Sequence, residues 1–178
     1  MIEITYLQMF IIITAAWISV RFVIAVHSKT FSIKRELQML LVYICLVVIA
    51  RFVYFPLHLV DGKIGTLTVG FTEAPADMIS IIPFNFLFDR YDGWQINIIG
   101  NIAMFIPVGI VWPICFCKLN DIRKTVLAGI GLILIIELTQ LLCPSRHTDI
   151  DDVVLNTTGV LIGACIVFAV RRRRKKVS

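Results

Sequence analysis

Charge is what this chain has least of: 16% of its 178 residues are Asp, Glu, Lys or Arg, 58% are hydrophobic, and the mean hydropathy is +0.89. A soluble domain carries about 25% charged residues, so the composition excludes that class. Histidine is scarcer still, with three copies. No two of them stand at metal-ligand spacing, and His58 and His147 read as interfacial polar residues. The five cysteines are scattered at 45, 115, 117, 143 and 165, which gives no disulfide framework. Cys115-x-Cys117 has neither a second pair nor a nearby histidine, so no metal site is expected. No serine or cysteine is paired with a base as a nucleophile would be. The opening "MIEITYL" lacks the basic n-region of a signal peptide, and the first apolar stretch is read as an uncleaved helix. There is no internal repeat, which counts against a transporter built from duplicated halves.

Long apolar runs are what the chain does have. A helix needs about 20 mainly apolar residues to cross the hydrocarbon core. Five runs qualify, at Thr5–Val26, Leu37–Leu59, Ile96–Cys117, Val126–Cys143 and Val153–Val170. The expected fold is an all-α integral membrane protein of about five transmembrane helices. A sixth run, Met78–Phe88, is too short to span and contains Pro83, so it is read as a re-entrant or interfacial segment. The organisation predicted is two N-terminal helices over 1–60, an outer loop with that segment over 61–95, a core of three helices over 96–170, and a basic tail over 171–178.

Lys and Arg in the short loops set the orientation. The 27–36 loop, the 118–125 loop and the tail hold twelve basic residues, against Lys63, Arg90 and Arg146 on the other side. This places the C-terminus in the cytoplasm and the N-terminus outside, in a multi-pass protein. The tail "RRRRKK" directly follows a span, so it reads as a topology stop that meets anionic lipid head groups rather than nucleic acid.

Ionisable residues inside spans are costly and call for a reason. Glu137 lies in "LIIELTQLLC" and Arg51 in "VVIARFVYF", both in outer halves of their helices. Helical spacing gathers further polar groups: Glu137 with Gln140, Asn97 with Asn101, and Asp152 with Asn156. Gly100 is expected to let helices approach closely, as is the Gly159-x-x-x-Gly163 pair. On the second span Arg51, Tyr54 and His58 form one stripe. The candidate ligand-binding set is therefore Arg51, Asn97, Asn101, Glu137, Gln140, Asp149, Asp151, Asp152 and Asn156.

Simpler roles compete for each residue. Thr148 and Asp151 resemble a capping box, and acids at a helix start are stabilised by its dipole. The asparagines and Gln140 can serve as interhelical hydrogen bonds. Arg51 and Glu137 can form a structural ion pair.

The order "SIIPFNF", "NIIGNIAMFIPVGIVWP" and "IELTQLLCPSRHTDIDDVVLNTTGVLIG" resembles the VanZ-like family of bacterial membrane proteins over roughly residues 79–170. The family signature maps onto Pro83, Phe84, Asn97, Gly100, Asn101, Phe105, Pro107, Gly109, Glu137, Gln140, Asp149, Asp151, Asp152, Asn156, Gly159 and Gly163. The resemblance implies a multi-pass protein of the bacterial cytoplasmic membrane, linked to resistance to the glycopeptide teicoplanin. Its implied partners are membrane lipids and a lipid-linked cell-wall precursor or glycopeptide. Two readings of function stay open. One is a non-enzymatic accessory that binds an envelope lipid, precursor or drug. The other is an intramembrane enzyme acting on an envelope lipid, with Glu137 and Asp152 as acid and base or as ligands of a divalent cation. No other cofactor is expected.

Overall fold

The computed structural model describes residues 1–28, 32–56, 62–70, 79–80, 94–144 and 148–177. Among these, the protein is a set of five helices with two minimal sheets. It divides into two units, Met1–Phe71 and Thr72–Ser178.

In the first unit β1 (Ile2–Ile4) leads into α1 (Tyr6–Ser28). The start of α1 is a reciprocal cap: Thr5 N–H donates to Gln8 Oε1 at 2.8 Å, and Gln8 N–H donates to Thr5 Oγ1 at 3.3 Å. α2 (Ile33–Tyr54) follows, and β2 (Leu67–Val69) then pairs antiparallel with β1. Arg21 on α1 and Glu36 on α2 form a two-point ion pair, and Thr14 Oγ1 meets the Tyr43 hydroxyl at 2.7 Å. No residue of α1 is buried, and Leu7, Ile12, Ile18 and Phe22 project outward, a surface suited to lipid.

α2 ends sooner than its apolar run. Pro56 disfavours helical backbone at the residue before it, and Phe55 is extended at φ −122°, ψ 145°. The expected stripe from Arg51 to His58 therefore stops at Tyr54, and His58 lies outside the described residues.

The second unit holds β3 (Ile79–Ser80), α3 (Trp94–Cys115), α4 (Ile122–Gln140), β4 (Thr148–Asp149) and α5 (Ile150–Val177). Ile102 lies against Gly159 and Ile106 against Gly163, so α3 and α5 run parallel. Gly129 meets Val160, and the Glu137 carboxylate feels the charge of Asp152, so α4 runs back between the two ends. The result is an up-down-up arrangement with Phe105, Val108, Ile133, Val160 and Ala164 fully enclosed.

α1, α2, α3 and α5 are long and apolar enough to cross a membrane. α4 has 19 residues, with Arg123 and Lys124 in its first turn and Glu137 within it. At 1.5 Å per residue it covers about 28 Å, close to the hydrocarbon thickness. Asp121 caps it by accepting the Lys124 N–H at 2.8 Å. α5 carries straight on through the basic run that was expected as a separate tail. Arg171 helps hold that continuation, since its Nη2 donates to the Pro113 carbonyl at 2.8 Å, in the last turn of α3, where carbonyls lack intrahelical partners.

Glycine placement explains how closely α3 and α5 pack. A Cβ on Gly159 would stand 2.2 Å from the Ile102 carbonyl oxygen, and one on Gly163 2.2 Å from that of Ile106. On Gly109 it would stand 2.1 Å from the Val160 carbonyl oxygen. Gly100 does not take part, contrary to the expectation from its position between two asparagines: nothing lies within 4 Å of a Cβ there.

Candidate functional site

Among the described residues, five polar side chains of the second unit are buried, Thr125, Glu137 and Gln140 on α4 and Asp151 and Asn156 on α5. On α4 the buried residues are Thr125, Gly129, Ile133, Ile136, Glu137 and Gln140, a single helical stripe. Leu127, Leu134, Ile135 and Leu138 face outward. Glu137 and Gln140 are each 6% exposed, so the helix directs both toward its neighbours and away from lipid. On α5 the buried stripe begins with Asp151, Leu155 and Asn156 and continues through Gly159 and Val160.

Three helices meet at this end. Asn101 Nδ2 on α3 donates to Asp152 Oδ1 on α5 at 2.5 Å, and makes a longer 3.4 Å contact with Asn97 Oδ1. Asn97 itself is exposed. From α4 the Glu137 carboxylate accepts the backbone N–H of Asp149, and it lies close enough to the Asp149 and Asp152 carboxylates to feel both charges. Asp152 in turn feels Asp149 and Asp151. Four acidic side chains are thus gathered at the amino-terminal end of α5, where the helix dipole favours carboxylates.

Asp149 is also the cap of α5. Its Oδ1 accepts the Asp151 N–H at 2.9 Å, the bond expected of an N-cap residue. The cap therefore falls one residue later than the Thr148 to Asp151 spacing suggested. Asp151 is 4% exposed and Asn156 2%. Glu137 Oε2, Gln140 Oε1 and Asn156 Oδ1 are buried without a hydrogen-bond partner among the described residues.

The structure thus gathers Asn101, Glu137, Gln140, Asp149, Asp151, Asp152 and Asn156 at one end of three packed helices, with Asn97 at its rim. Arg51 belongs to the first unit. There its Nη1 donates to the Phe55 and Pro56 carbonyls at 3.4 and 3.1 Å, and its guanidinium lies 5.7 Å from the Tyr6 ring centre. Among the described residues no three His, Cys, Asp or Glu side chains are grouped so as to hold a metal ion.

Ser80 joins the neighbourhood without having been anticipated. β3 pairs in parallel with β4, setting Ser80 opposite Asp149. The start of the "SIIPF" motif is thereby delivered to the acidic end of α5. The rest of the expected re-entrant segment lies outside the described residues. A two-residue strand has no periodicity to detect, and the motif itself was the only signal that pointed to this neighbourhood.

No curated protein and no solved structure matches the chain significantly. A family model described as VanZ/LLP1 matches residues 40–171. It starts earlier than the motif-bearing stretch from 79 and takes in α2 from Leu40, all of α3 and α4, and α5 up to Arg171. With that much of its length matched, the chain belongs to the VanZ/LLP1 family.

Proposed function

We propose that this protein acts in the bacterial cytoplasmic membrane by binding a component of the envelope, or an amphiphilic drug, at the polar end of α3, α4 and α5. Binding there contributes to resistance against glycopeptides of the teicoplanin type. The observation that carries the reading is the convergence of polar side chains from three helices on one end of an otherwise apolar bundle, with Glu137 and Gln140 of α4 and Asp151 and Asn156 of α5 buried there. Polar groups facing a membrane-protein interior are retained at a cost, and a binding role accounts for keeping so many together. The bound species is a lipid, a lipid-linked cell-wall precursor or the glycopeptide itself.

A second reading draws on the nearness of Glu137 and Asp152 on facing helices. Two adjacent carboxylates in unequal surroundings suit a general acid and base acting on an envelope lipid.

The test is teicoplanin susceptibility in a host expressing variants at matched membrane levels. Glu137→Gln and Asp152→Asn insert normally and lose the protective effect, whereas Asp149→Asn keeps most of it because asparagine caps as well as aspartate. Full protection by both of the first two variants would show that these acids serve packing alone.

A further inference from the structure

The polar cluster at the head of α5 is unbalanced in hydrogen-bonding type. The buried atoms there without partners among the described residues, Glu137 Oε2, Gln140 Oε1 and Asn156 Oδ1, are all acceptors. Their residues are at least nine-tenths buried. Two of the donors present are already committed, the Asn101 amide to Asp152 and the Asp149 N–H to Glu137. Buried polar atoms in folded proteins are nearly always paired, so several unpaired acceptors toward one end of the same helices point to a missing donor.

Resting on the binding reading above, we infer that this polar cluster receives a primary ammonium group. Such a group offers three N–H donors, no acceptor, and a positive charge that suits the acidic side chains of Glu137 and Asp152. Glu137 and Gln140 from α4 and Asn156 from α5 supply the acceptors, and the carboxylates at the helix start supply the attracting field. A phosphate brings negative charge and further acceptors, so the cluster rejects it. A trimethylammonium brings charge without an N–H and leaves the acceptors unpaired.

The ammonium group can be carried by a lipid head group or by a free amine, and the two are separable. The full-length protein is placed in nanodiscs of phosphatidylcholine, of its ethanolamine counterpart, and of the mono- and dimethylated ethanolamine lipids, and its thermal midpoint is recorded. A lipid-borne amine raises the midpoint by several degrees in ethanolamine discs, with stepwise loss as methyl groups replace N–H. A free amine gives instead a saturable rise on adding ethanolamine hydrochloride to phosphatidylcholine discs. In Glu137→Gln either rise is lost. The lipid series on the unaltered chain stands even where that variant inserts poorly. Equal midpoints across the series with no response to ethanolamine would overturn the inference, and so would a rise produced by magnesium chloride in place of the amine. An absent amine response together with a lost glycopeptide phenotype removes the ammonium assignment and leaves the site. An amine response with unchanged susceptibility does the reverse.

Discussion

Asn101 on α3 donates to Asp152 on α5 at 2.5 Å, just beyond the point where glycines bring the same two helices into backbone contact. The bond satisfies a part-buried carboxylate and fixes the register of the helix pair at its polar end. Interhelical hydrogen bonds in membranes average about 0.6 kcal/mol, with the strongest near 1.7. A double-mutant cycle of Asn101→Ala with Asp152→Ala, followed by reversible unfolding in mixed detergent, is expected to give a coupling toward the upper part of that range. A coupling indistinguishable from zero would mean the two side chains do not depend on each other.

The glycines divide into two groups with opposite expected behaviour. Gly159→Ala and Gly163→Ala each force a methyl into a backbone carbonyl, and overpacking of that kind costs about 1–3 kcal/mol. Gly100→Ala and Gly131→Ala enter open space within helices, where alanine is favoured over glycine by about 1 kcal/mol. Unfolding midpoints should therefore fall for the first pair and hold or rise for the second. A fall at Gly100 equal to that at Gly159 would contradict the packing described.

Asp121 couples α4 to pH. The Lys124 N–H that it caps, with the Lys124 side chain beside it, holds its carboxyl below the ordinary carboxylate value. Because the folded value is the lower one, the stabilisation is complete above the unfolded value and is lost as pH falls through the folded one. Between about pH 5 and pH 3 the thermal midpoint of the parent should therefore drop further than that of Asp121→Asn, which caps without titrating. Parallel pH profiles would remove Asp121 from the acid response.

The basic residues predict the sidedness of the chain. Twelve of them fall on the side of the C-terminus and three on the other, so a reporter active only in the cytoplasm should work when fused after Ser178. Activity of an exported reporter at the same position would reverse the assignment.

Much of this was legible in the chain because a bilayer makes simple demands. Apolar length found all five helices, and the i, i+4 spacing of Asp152 with Asn156 placed both toward the polar end of α5. The misreading of the glycines has a plain cause: spacing along a helix does not say which face meets another helix. Gly100 lies in a promising pattern yet turns toward open space, while Gly109 packs against α5 without such a pattern. The end of α2 depended on Pro56 overriding hydropathy, and the cap of α5 on a choice between adjacent residues that backbone geometry alone decides. Ser80 reached Asp149 through a pairing whose two partners are separated by all of α3 and α4.

That pairing bears on biogenesis. Strand β3 leaves the ribosome before α3, α4 and β4 exist, so it waits unpaired while two helices insert, and it docks only once Thr148 and Asp149 have been made. Glu137 likewise stays without its N–H donor until Asp149 arrives. A nascent chain stalled short of β4 can have its first four helices inserted and still lack the polar cluster, making its completion a late event of synthesis.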